Sequence, residues 1–183
     1  GLRSGRPILY ACQQMVNPGR IGHKYIHTAS PQEAAAMFSQ ILERFDIVFQ
    51  HNETDRAVFE IGLDGQISNW ALTDEGPLVY LDTSTPLMRR AGVEQLDPEL
   101  FLRVCPSYLV WVIRWFFLKD VLNRYYDLRL VIIDLLGNLY KEKKEDLIPG
   151  FMQAANAFLK ERWPAVLPVT AKEIEAYYKE DAW

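Results

Sequence analysis

A chain of 183 residues with a formal net charge of −4 and 49% hydrophobic residues suits one domain that buries about 70% of its unfolded surface. Its mixed-sign charge lacks the basic excess of a general nucleic-acid binder, and its two cysteines, Cys12 and Cys105, are too few for a disulfide framework. Both cysteines read as small core residues in a reducing, cytoplasmic setting. The most apolar run, residues 108–118, is about half as long as a bilayer span requires and carries Arg114, so it reads as a buried helix rather than a membrane segment.

Residues 1–7 lack the apolar stretch of a secretory signal and read as a tag remnant or a trimmed start. Residues 7–16 are rich in β-formers and end at Asn17-Pro18-Gly19, which predicts a strand and then a loop. Ser30-Pro31-Gln32-Glu33 supplies an N-cap, a proline at the first helical position and a capping-box glutamate. Met37, Ile41, Leu42, Phe45, Val48 and Phe49 then recur at helical spacing, which predicts an amphipathic helix to about His51. No helix signal surrounds His23 and His27, so their four-residue spacing predicts no metal site.

Short β-like runs follow at 57–63, 67–72 and 78–82, divided by Asp64-Gly65 and by a polar turn at 74–77. From Asp97 the chain reads as helical. A first helix breaks at Pro106, an apolar stretch runs over 107–126, and helices are expected at 128–140, 147–163 and 171–178. The charged run 141–146 reads as a solvated connection. Tyr108, Trp111, Trp115 and Phe116 form an aromatic face expected in the core. The class is α+β and predominantly helical, organised as a connection (1–29), a long helix (30–56), a β segment (57–90) and a helical remainder (91–183).

The β segment carries the chemistry. Asp64 is followed five positions later by Asn69, and thirteen positions further on an apolar run leads into Asp82. Hard oxygen donors of this kind suit Mg²⁺, which takes one or two carboxylates and leaves its other positions to water and phosphate. A separate carboxylate is needed to orient an attacking hydroxyl in phosphoryl transfer.

This block resembles the catalytic loop and metal-binding strand of the aminoglycoside and choline phosphotransferase group, within the protein-kinase-like superfamily. The resemblance implies that Asp64 is the catalytic base and that Asn69 and Asp82 are metal ligands, with ATP and Mg²⁺ as cofactors. More loosely, it implies a kinase-like C-terminal lobe in which the first strand is the hinge. The backbone of Gln13, Gln14 and Met15 then faces adenine, the helix from Pro31 is the long central helix, and the helices after Asp97 help build a pocket for a small-molecule hydroxyl substrate. Arg89 and Arg90 are candidates to meet an anionic substrate, and Thr83, Ser84 and Thr85 to orient Asp82 or cap a turn.

The sequence departs from the pattern in places. Gly62 stands where the family has a histidine, Asp82 is followed by Thr83-Ser84-Thr85-Pro86, and the only lysine before Asp64 is Lys24. The lysine, glutamate and glycine-rich cover of an N-terminal lobe are therefore expected on a trimmed preceding segment or a partner chain, or else are not required. Two other readings stand beside the phosphotransferase lobe: a catalytically silent kinase-like module that binds nucleotide or a partner, and an unrelated α+β interaction domain. In the last, residues 57–63 and 66–72 form a plain hairpin about Asp64-Gly65.

Overall fold

A computed structural model describes residues 2–3, 6–7, 15–82, 87–96 and 122–181. It is an α+β fold with, among the described residues, three small antiparallel sheets and a layer of long helices. Strands β1 (Leu2–Arg3) and β2 (Arg6–Pro7) pair with each other. Most of the strand expected over 7–16 lies outside the described residues, as do Cys12, Cys105, the aromatic face at 108–116 and the helix break at Pro106.

Helix α1 (Gly22–Thr28) corrects the expectation of no helix around His23. Its N-cap, Ile21, makes no side-chain bond and only Gly22 and Ile26 are buried, so neither cap nor periodicity announces it. Helix α2 (Pro31–Asp55) begins as expected: Ser30 Oγ accepts from the Glu33 N–H at 3.3 Å, and the Glu33 carboxylate accepts from the Ser30 N–H at 2.8 Å. It runs one turn beyond His51 because Asn52, inside that turn, is fastened to the next strand. Asn52 donates to the Ile61 carbonyl at 2.7 Å and accepts from its N–H at 2.8 Å.

The plain hairpin about Asp64-Gly65 does not form. Strand β3 (Phe59–Ile61) pairs with β6 (Met88–Arg90), which pairs with β7 (Val93–Glu94), while β4 (Trp70–Leu72) pairs with β5 (Leu78–Tyr80). Residues 67–69 form a single 3₁₀ turn rather than strand. Ile21 bridges to Ala71, tying the segment before α1 to the β4–β5 hairpin.

Helices α3 (Leu128–Lys141), α4 (Ile148–Arg162) and α5 (Ala171–Asp181) fall within a few residues of their expected bounds. The charged run 141–146 is more than a solvated link. Lys143 takes φ 55°, its N–H bonds the Tyr140 carbonyl at 3.1 Å, and the Lys144 N–H bonds the Leu139 carbonyl at 2.8 Å. These bonds close the end of α3 in a Schellman motif.

The core lies between α2, α3 and α4. Phe38 stacks on Phe151 with centroids 4.3 Å apart, and Trp70 sits between Phe45 at 5.8 Å and Tyr80 at 4.9 Å. Each such large side chain contributes about 1.5 to 3 kcal/mol on burial. Helix α3 is buried from Val131 to Leu139, Asp134 and Asn138 included. It supports the loop that leads from β3 to β4.

Candidate functional site

That loop is built from backbone bonds outward. The Gly62 N–H bonds the Leu87 carbonyl at 2.7 Å, and the Leu63 N–H bonds the Tyr125 carbonyl at 2.8 Å. Gly65 then passes so close to α3 that a Cβ there would be driven into the Val131 carbonyl oxygen. A side chain is excluded by this approach, which is the physical reason for glycine after Asp64.

Asp64 is half-buried. Its Oδ1 accepts from the Gln66 N–H at 3.1 Å, and the Asn69 amide lies 3.5 Å from its carbonyl, at the outer limit of a hydrogen bond. Burial pushes the Asp64 carboxyl above its ordinary range, and the nearby charge of Asp82 acts in the same direction. Hydrogen bonds from the Gln66 backbone, Asn69 and Asp134 oppose the rise without cancelling it. A carboxyl so raised is closer in proton affinity to a general base than an exposed aspartate is.

Asn69 and Asp82 are joined through the β4–β5 hairpin. The Leu81 N–H donates to the Asn69 carbonyl at 2.8 Å, so the residue before Asp82 is fixed to Asn69 itself. Tyr80 completes the cluster: its half-buried hydroxyl takes a hydrogen bond from the Asp64 backbone, and burial together with the Asp64 and Asp82 charges pushes it above the ordinary tyrosine range. The structure thus brings Asp64, Asn69 and Asp82 to one place. Two carboxylates and an amide near one another are hard oxygen donors.

Of the expected adenine-facing residues, Gln13 and Gln14 lie outside the described residues. Met15 is described and 89% exposed. It lines a cleft of about 420 Å³ between the segment Met15, Val16 and Asn17 and the strand Val79, Tyr80 and Leu81. Asp74, in the turn of the β4–β5 hairpin, also lines the cleft and pairs with Arg20 at 3.5 Å.

Arg89 is already engaged, contrary to a substrate role. Its guanidinium donates to Glu60 at 3.2 Å, Glu94 at 3.3 Å and Asn123 at 2.6 Å, and lies 3.8 Å from the centre of the Tyr126 ring. Register explains this, because Arg89 faces Glu60 across β3 and Glu94 across β7. Arg90 is exposed at the end of β6. Thr83, Ser84 and Thr85 lie outside the described residues. His23 and His27 do share a helix, yet among the described residues no group of three or more His, Cys, Asp or Glu side chains is arranged to hold a metal ion.

Sequence reasoning missed Tyr80, Asp134 and Tyr177. Asp134 carried a signal: a carboxylate within the apolar run Val131 to Leu139 has to be buried and bonded if that run is a core helix. The Tyr177 hydroxyl donates to its Oδ1 at 2.8 Å. Nothing local to Tyr177 points to this contact.

Among the described residues no helix is long and apolar enough to cross a membrane. No curated protein and no solved structure matches the chain. A family model matches residues 2–183, and the chain belongs to that family, one of unknown function (DUF6206).

Proposed function

We propose that this chain is a kinase-like C-terminal lobe of an ATP- and Mg²⁺-dependent phosphotransferase, acting on the hydroxyl of a small molecule. The observation that carries the reading is the convergence of Asp64, Asn69 and Asp82, with Asn69 and Leu81 joined by a 2.8 Å hydrogen bond and Asp64 sensing the Asp82 charge. The cleft between Met15 and β5 supports the reading, because it lies between the segment assigned to the hinge and the strand that ends two residues before Asp82.

In this reading Asp82 and Asn69 hold the metal, whose charge, when bound, offsets that of the phosphate oxygens. Asp64 orients the acceptor hydroxyl and takes its proton, a task suited to a carboxyl raised by burial. Met15 and its neighbours border the nucleotide base. The task of a lysine on the phosphates falls in this reading to a second lobe, on the same protein or on a partner, and the setting is cytoplasmic.

One observation favours a catalytically silent module instead. At Gly62, where the phosphotransferase group has histidine, a Cβ would lie 3.1 Å from the Tyr126 ring and 3.2 Å from Leu87 Cβ. The position is filled, so no histidine can be seated there without moving both neighbours. Titration of Mg-ATP into the chain, and into any longer protein that contains it, separates these readings. Binding lost in Asp82→Ala supports nucleotide recognition, and turnover lost in Asp64→Ala with binding retained makes the protein an enzyme. Binding without turnover assigns the silent module. Indifference of every form to Mg-ATP refutes both.

A further inference from the structure

The Asp64 loop rests on a carboxylate that is itself held by the last helix of the described chain. Asp134 lies in the buried stretch of α3 with 8% exposure, a place where an ionisable group persists only when it is bonded. Its Oδ1 accepts from the Tyr177 hydroxyl of α5 at 2.8 Å. On the other side, a Cβ on Gly65 would lie 3.2 Å from Asp134 Oδ2, and the Asp134 carboxyl lies against that of Asp64, where a proton on one of the two makes the hydrogen bond between them. Asp134 therefore stands between Tyr177 and Asp64 and touches both.

Helix α5 is seated to keep this arrangement. At Gly137 a Cβ would meet the Tyr177 ring at 3.0 Å, so glycine admits the ring against α3. The Arg124 guanidinium lies 5.5 Å from the ring centre, and Tyr140 stacks on Tyr178 at 4.9 Å one position further along. Tyr177 and Asp134 also line a cleft of about 290 Å³. Removing the phenol oxygen at this margin leaves the ring packing in place.

We propose that Tyr177 is a positioning residue for Asp64: through Asp134, the docking of α5 fixes the side chain that orients the acceptor hydroxyl. This rests on the reading of Asp64 given above, but its structural half can be measured without any activity. The Gln66 amide donates to Asp64 Oδ1, so its hydrogen exchange reports whether the Asp64 side chain is held.

The experiment compares amide exchange by NMR in wild type, Tyr177→Phe and Asp134→Asn, with the Ile61 amide as internal reference. That amide bonds Asn52, away from Asp134. In Tyr177→Phe the Gln66 amide is expected to exchange about three- to tenfold faster, the range one hydrogen bond supports, with Ile61 unchanged. Asp134→Asn, which keeps two polar atoms in the same shape, is expected to fall between wild type and Tyr177→Phe. Equal rates at Gln66 in wild type and Tyr177→Phe overturn the proposal, as does equal acceleration of Gln66 and Ile61, which is general loosening. In a protein that turns over Mg-ATP, Tyr177→Phe lowers kcat about three- to tenfold with the nucleotide KM unchanged; a change confined to KM overturns the role. Absence of turnover in wild type bears on the phosphotransferase reading alone, and the exchange rates still decide the positioning.

Discussion

Gly65→Ala is the sharpest perturbation of the candidate site that leaves every polar group in place. The added Cβ meets the carbonyl oxygen of Val131 and, at 3.2 Å, both Asp134 Oδ2 and the Val131 side chain. Two of these obstacles have no freedom to withdraw: the carbonyl belongs to the backbone of a buried helix, and Asp134 is bonded to Tyr177. Overpacking a well-filled interior costs about 1 to 3 kcal/mol and more where the neighbour is rigid, so a loss of about 2 to 4 kcal/mol is expected. For a chain of this length that lowers Tm by roughly 5 to 12 °C. Gly150→Ala is the control. It lies in the first turn of α4, where an added Cβ has nothing within 4 Å, and Ala is better than Gly in a helix by up to about 1 kcal/mol. Urea unfolding of the three proteins, with equal m-values, reads both differences. A Gly65→Ala midpoint equal to that of wild type would refute the close approach of the Asp64 loop to α3.

Two further outcomes follow from the helix ends. Lys143 is exposed and occupies the left-handed region at φ 55°, so Lys143→Gly is expected to stabilise the protein by about 0.5 to 1 kcal/mol; a lowered Tm refutes the assigned cap. At the start of α5, the Glu173 carboxyl is held at about 2, below its ordinary 4.5, chiefly by the hydrogen bond from Arg129 at 2.7 Å and also by Thr170. Its folded value is the lower one, so its stabilisation is complete above pH 4.5 and is lost as the pH falls toward 2. Solvent screening keeps the effect to about 1 kcal/mol or less. The Tm gap between wild type and Glu173→Gln should therefore be constant from pH 7 to pH 5 and close below it; a gap that widens in acid contradicts the pairing.

The long helices were legible because their apolar spacing is regular and their ends carry chemistry, as at Ser30 and Glu33. Helix α1 was not, since Ile21 caps nothing and the segment buries only two residues. Strands β6 and β7 span three and two residues without an alternating burial pattern, and β3 finds its partner across the intervening hairpin rather than beside itself. That choice of partner overrides the turn propensity of Asp64-Gly65. Within the candidate site, the nearness of Asp64, Asn69 and Asp82 was legible because they lie in one short block. Asp134 and Tyr177 reach the same place only through the packing of α3 and α5, which no local pattern encodes. Arg89 looked available in the sequence because its partners Glu60, Glu94 and Asn123 come from three separate segments.

The β4–β5 hairpin changes what the thirteen-residue interval between Asn69 and Asp82 means. The pairs Trp70↔Tyr80, Ala71↔Val79 and Leu72↔Leu78, with the Leu81-to-Asn69 bond, hold the two ends together. The turn is closed separately, by Thr73 with Pro77 and by Gly76 with Thr73. Residues inserted among the exposed positions 74–76 would lengthen the interval without moving Asn69 from Asp82. What sets Asn69 and Asp82 near each other is therefore the paired ladder between them, not a fixed count of residues.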